Sequence, residues 1–175
     1  MAGSGGTAGR RLLLNPAIFG LLGDVGGRWV LDAGCGQGYL SRLLAERGAS
    51  VVGVDASRRL LDHAEALEAR RAQGISYRQR DLSRLGDVGG PFDAVVANMV
   101  FLDIADWRPA LANCVDALGP GGRLVYSLLH PCWVSGASSR WPETGCVELR
   151  EYLNEYEVPG GPGGGPNSTG RSPRT

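Results

Sequence analysis

The feature that most restricts this chain is a glycine-broken turn between a strand pattern and a helix pattern. Trp29-Val30-Leu31 reads as a strand, opens into Asp32-Ala33-Gly34-Cys35-Gly36-Gln37-Gly38, and gives way to Leu40, Leu43 and Leu44 at helical spacing. The same alternation then repeats. Val51 to Val54 form a second strand ending at Asp55, after which Ser57 caps a helix with Leu60, Leu61, Ala64 and Leu67 on one face. A short third strand is predicted over 75–79, a fourth over 92–97 and a fifth over 124–129. Asp106 opens a helix carrying Leu111, Val115 and Leu118, and Gly119-Pro120-Gly121-Gly122 makes the turn into the fifth strand. Strands alternating with helices give an α/β fold: a doubly wound, mostly parallel sheet with helices on both faces. Before the first strand, Asn15 is expected as an N-cap, with Pro16 at the first helical position and Gly23 as the stop. A further helix is predicted over 147–157, with Leu149, Tyr152, Leu153 and Tyr156 on one side.

Residues 1–11 are poor in side chains that could bury apolar surface, and 159–175 are rich in glycine and proline. Both are expected to be flexible, leaving 12–158 as one domain. Every basic residue is arginine, so Schiff-base chemistry and the lysine-dependent phosphate loop are excluded. Eighteen basic against eighteen acidic residues cancel, which argues against nucleic acid as a partner, and no apolar run is long enough to cross a membrane. Cys35, Cys114, Cys132 and Cys146 form no CxxC pair, so no metal site is spelled locally and a cytoplasmic location with free thiols is expected.

Ligands of doubly wound sheets bind at the carboxyl ends of the strands, which makes the glycine turn a cofactor site by position. A dinucleotide fold wants GxGxxG; here the spacing is GxGxG, and Asp32 stands two residues ahead of Gly34. A carboxylate there is unfavourable beside a pyrophosphate and favourable beside an ammonium or sulfonium. Asp55, ending the second strand, can accept from both hydroxyls of a ribose. Asp81 follows the third strand, where it could accept from an adenine amine while Leu82 packs on the ring, and Asn98-Met99-Val100 follows the fourth, at the mouth of the same crevice.

At these residues the sequence resembles the class I S-adenosylmethionine-dependent methyltransferases, in their small-molecule branch, with a Rossmann-like sheet. The resemblance runs through VLDAGCGQGYLSRLLAERGASVVGVDAS at 30–57, RDLSRL at 80–85, FDAVVANMVFLDI at 92–104 and LGPGGRLVYSLLHPCW at 118–133. It implies S-adenosyl-L-methionine as cofactor and a small organic molecule as methyl acceptor. Asp32, Gly34, Cys35, Gly36 and Gly38 would then line the methionine moiety, Asp55 and Ala56 the ribose, Asp81 and Leu82 the adenine, and Asn98 and Met99 the region of the transferring methyl. His130 is the candidate general base, and Trp133 and Trp141 flank a stretch that could fold over an apolar acceptor. Met99, Val100 and Phe101 do not complete the Asn-Pro-Pro-aromatic loop of amino-methylating relatives, which disfavours a base amine as acceptor. His63 faces away from its helix's apolar stripe and reads as a surface residue. Cys35, beside a helix N-terminus, could have a lowered pKa, although filling a tight turn is the simpler role. The resemblance also implies a closing antiparallel strand pair, which the pattern lacks. The exposed sheet edge that this leaves predicts either marginal stability or a homodimer. A nicotinamide oxidoreductase and a cofactor-binding module without turnover are the competing readings.

Overall fold

The computed structural model describes residues 10–129, 139–140 and 148–149. Five parallel strands form one sheet in the order β3-β2-β1-β4-β5: β1 (Trp29–Ala33), β2 (Ser50–Asp55), β3 (Ser76–Gln79), β4 (Phe92–Asn98) and β5 (Leu118–Ser127). The helices α1 (Asn15–Leu22), α2 (Tyr39–Ala45), α3 (Arg58–Arg70) and α4 (Trp107–Asp116) cover it. The order reverses between β1 and β4, so their carboxyl ends part and open a crevice at the glycine turn.

Alternation along the strands supplies two cores. Leu31, Ala33, Val52, Val54, Val95 and Ala97 point to one face, where Phe92, Leu82, Leu85 and Val88 meet Ala110 and Cys114 of α4. Val30, Val51, Ala94, Val96 and Val125 point to the other, against Ile18 and Leu22 of α1 and Leu40 and Leu44 of α2. Strands buried on both sides read as the continuous apolar runs seen in the sequence.

Some local expectations are corrected. Asn15 lies inside α1 rather than capping it; the N-cap is Leu14, in helical conformation after a wide turn at Arg10–Leu14, and Asn15 Nδ2 instead donates to the Tyr39 hydroxyl at 2.7 Å. Gly23 does end the helix, with its amide on the Phe19 carbonyl. Ser57 caps α3 through the Leu60 amide, whereas Asp106 makes no side-chain cap on α4. The Gly119–Gly122 turn proves to be an irregularity inside β5: Leu118 pairs with Phe92 and Arg123 with Ala94, so four residues stand opposite the single Asp93, three of them extra.

Glu148–Leu149 (β7) pairs antiparallel with Ser139–Arg140 (β6) and is therefore strand, not the start of a helix; the remainder of the helix predicted over 147–157 lies outside the described residues. This antiparallel ladder is a sheet of its own, and among the described residues β5 has β4 as its one neighbour. No helix among the described residues is long and apolar enough to cross a membrane.

Candidate cofactor site

The turn leaving β1 is held by β2. Both Gly34 N and Cys35 N donate to the Val54 carbonyl, at 2.8 and 2.9 Å, and Gly36 N donates to Asp55 Oδ2 at 2.8 Å. The other carboxylate oxygen of Asp55 accepts from Ser57 N at 2.8 Å. Asp55 thus ties the glycine loop to the start of α3, and each of its oxygens keeps a lone pair for a further donor.

The glycines do different work. Gly34 has φ 73°, and a Cβ on it would overlap the Val100 side chain, so the chain after β4 closes over it. Gly36 has φ 55°, and a Cβ there would meet nothing within 4 Å among the described residues. At Gly36 the loop therefore presents bare backbone to open space, the arrangement that lets a ligand approach closely. Gly38 is the left-handed N-cap of α2.

Asp32 is 2% exposed, lying beneath the loop rather than on an open floor, and accepts from Ser41 Oγ at 2.5 Å. Burial pushes its carboxyl up to about 6; the Ser41 hydrogen bonds oppose this and the nearby Asp55 charge adds to it. Cys35 is also buried, and its thiol is driven up rather than down, first by desolvation and then by Asp32 and Asp55, which disfavours the thiolate there.

At the third strand's end, Asp81 is exposed and uses Oδ1 to accept from Ser83 N at 2.8 Å, and among the described residues Oδ2 has no partner. Leu82 departs from expectation: its side chain is 4% exposed and packs into the core under α4, because the turn at Leu82–Arg84 directs it inward. A stacking role for that side chain is withdrawn. Ala56 is exposed, and its carbonyl accepts from Gln79 Nε2. On the β4 side, Asn98 Oδ1 accepts from Ser127 Oγ at 2.7 Å, and Met99 has φ 60°, rare for a side-chain-bearing residue. The Met99 amide donates to both Ser127 Oγ and the Ser127 carbonyl, which offset the strain. His63 is exposed, as read from the sequence. His130, Cys132, Trp133, Trp141 and Cys146 lie outside the described residues.

Asp32, Gly34, Gly36, Asp55, Asp81 and Asn98 are thus gathered at the carboxyl ends of four adjacent strands. The sequence placed Val100 at the mouth of the crevice, where it closes on Gly34, but did not point to Ser41, Tyr77 or Ser127. Ser41 alone had a local signal, three residues past Gly38 on the inward turn of α2. The other two meet the site only through strand pairing.

A model of the methyltransferase domain family matches residues 30–122, more than half of the chain. The chain belongs to that family. A ubiquinone biosynthesis O-methyltransferase of Coxiella burnetii is 35% identical over 104 residues, covering 59% of this chain and 44% of that protein. One from Idiomarina loihiensis is 33% identical over 158 residues, covering 83% and 65%. The crystal structure of an S-adenosylmethionine-dependent methyltransferase from Mesorhizobium loti superposes with a TM-score of 0.69 at 33% identity, covering 79% of this chain and 64% of that one. The domain therefore has the Rossmann-like sheet of S-adenosylmethionine-dependent methyltransferases, and S-adenosylmethionine is the cofactor of that class. It spans less than half the length of the Coxiella relative.

Proposed function

We propose that this domain binds S-adenosylmethionine at the glycine loop and directs its methyl group to an oxygen of a small organic acceptor. The observation that carries the proposal is the bare backbone at Gly36, set between one carboxylate buried beneath the loop and another at the end of β2. That cradle suits a cationic amino acid joined to a nucleoside and opposes a pyrophosphate, which would meet Asp32 and Asp55. Oxygen as acceptor atom rests on the O-methyltransferase names of the relatives.

When bound, the cofactor supplies the electrophilic methyl for an in-line displacement. The chain's task is alignment and exclusion of water. Asp55, held by the Gly36 and Ser57 amides, orients the ribose hydroxyls; Oδ2 of Asp81 accepts from the adenine amine; Asn98 and Met99, fixed by Ser127, border the acceptor side. The Gly34, Cys35 and Gly38 backbone shapes the methionine end, and the backbone at Ala56 and Leu82 borders the nucleoside. His130 remains the proposed base for the acceptor's proton.

Calorimetric titration with S-adenosylmethionine and with NAD tests the binding half. Binding of the former alone supports the proposal, and binding of NAD alone ends it. The transfer half is tested by mass spectrometry: S-adenosylhomocysteine should accumulate in the presence of hydroxylated aromatic acceptors. Asp55→Ala should weaken S-adenosylmethionine binding by about 1–3 kcal/mol, the cost of leaving hydrogen-bonding groups without a charged acceptor. It should also lower the melting temperature, since the Gly36 and Ser57 amides lose their partner; unchanged affinity in a folded variant would mean that the ribose lies elsewhere.

Buried free thiols at Cys35 and Cys114 support a reducing, cytoplasmic setting, and the balanced charge supports a partner other than nucleic acid. The lone neighbour of β5 among the described residues, with Tyr126 half exposed on it and Leu128 half exposed just beyond its end, supports pairing with a second copy. Sedimentation equilibrium should give twice the chain mass, and a monomer at micromolar concentrations removes the dimer from the proposal.

A further inference from the structure

Asp32, Gly53 and Tyr77 stand in one row across β1, β2 and β3, since Asp32 pairs with Gly53 and Gly53 with Tyr77. With no side chain at Gly53, the Tyr77 ring crosses that position toward the glycine loop. A Cβ on Gly53 would lie 2.8 Å from Tyr77 Cδ1 and 3.1 Å from Cys35 Sγ, and a Cβ on Gly38 would overlap the Tyr77 hydroxyl. That hydroxyl is buried and, among the described residues, makes no hydrogen bond of ordinary length. It stands beside Ser41, whose own hydroxyl donates to Asp32.

A buried hydroxyl without a partner is a net cost, and phenylalanine would fill the same space without it. Its neighbourhood shows what it is suited to. The Ser41 oxygen donates its proton to Asp32 and can still accept one. A small approach of Tyr77 toward Ser41 completes a chain of donors, tyrosine to serine to carboxylate, in which each bond polarises the next and favours the charged carboxylate.

We propose that Tyr77 is a positioning residue for the cofactor: its ring props the loop from below through the gaps left by Gly38 and Gly53, and its hydroxyl is held in reserve to donate to Ser41 when Asp32 faces a cation. The inference rests on the binding reading above and adds to it a residue from β3 that touches neither the cofactor nor the acceptor. The titratable and charged groups around the array are Asp32 and Cys35 at the end of β1, Asp55 on β2 and Arg42 on α2. Desolvation, with Asp32 and Cys35 adding to it and Arg42 and Ser41 opposing it, pushes the tyrosine up to about 12, so it remains a donor throughout the working pH range.

Tyr77→Phe keeps the ring and removes the hydroxyl, and Ser41→Ala removes the intermediary. Melting temperature without ligand and calorimetric affinity for S-adenosylmethionine between pH 5 and 8 are measured for wild type, both single variants and the double variant. Tyr77→Phe is expected to melt at the same or a higher temperature than wild type, yet to bind about tenfold more weakly at pH 7, the size of one hydrogen bond supporting a charged group. Its affinity should also rise with pH at a higher midpoint than that of wild type. In the Ser41→Ala background the same substitution should change affinity by less than about twofold, because the link to Asp32 is already cut. Unchanged affinity and pH midpoint in Tyr77→Phe would overturn the proposal, as would a lower melting temperature with unchanged affinity, which marks a packing role only. Failure of wild type to bind S-adenosylmethionine overturns the binding reading itself and this proposal with it, a result distinct from equal binding by wild type and variant.

Discussion

Asp32→Asn is expected to leave the protein more stable at pH 8 and much poorer at binding S-adenosylmethionine. The wild-type carboxyl is pushed up from 3.8 to about 6, chiefly by desolvation. The folded state therefore holds this proton more tightly than the unfolded chain, and between roughly pH 4 and 6 it binds more protons than the unfolded state does. Stability attributable to this group falls as pH rises through that window and stays low above it, by about 3 kcal/mol for a displacement of that size. Asparagine has nearly the same shape, accepts from Ser41 in the same way and carries no charge to desolvate. Thermal melts of the two proteins should thus diverge between pH 4 and 6, with the variant higher at pH 8. The same change removes the negative charge set under the loop, and affinity should fall about ten- to a hundredfold, as for the loss of a charge-assisted contact of about 1.5–3 kcal/mol. A variant that melts below wild type at pH 8, or that binds equally well, would show that the buried charge serves the fold rather than the ligand.

Alanine at Gly34 and at Gly36 should fail in opposite ways. Both residues have positive φ, but only Gly34 is covered. At Gly34 the added methyl meets Val100, and the sum of left-handed strain and overpacking is about 2–6 kcal/mol, a large part of a typical domain's stability. Gly34→Ala should be recovered mostly insoluble or with a sharply lowered melting temperature. At Gly36 there is no collision, so the cost to folding is the conformational part alone, about 1–2 kcal/mol. The new methyl would instead stand in the space left for the cofactor, and affinity should fall well beyond tenfold in a protein that still folds. Denaturant titration and calorimetry separate the outcomes. A folded Gly36→Ala variant that binds normally would remove the cradle from the proposed function.

The structural reason these two glycines differ also separates what is written locally in the sequence from what depends on the assembled sheet. The order of strands and helices, the turn after β1 and the acids at the ends of β1 and β2 are local properties. Period-two and period-3.6 apolar spacing, together with glycine where the chain must turn left-handed, write them into short stretches of sequence. The family resemblance rests on those same stretches. The placement of Leu82 in the core, the shielding of Asp32 by Ser41, the hold of Ser127 on a strained Met99 and the reach of Tyr77 across Gly53 are not local. Leu82 lies 31 residues from the Asn113 side chain that caps its carbonyl, and Met99 lies 28 from Ser127. Such contacts exist only after β1, β2 and β3, and then β4 and β5, have paired in one register, because a shift of a single residue would turn every side chain to the opposite face of the sheet. The amino-acid order alone determined that there would be a glycine loop and acids to frame it. The sheet decided which acid is buried, which glycine is open, and which tyrosine stands beneath them.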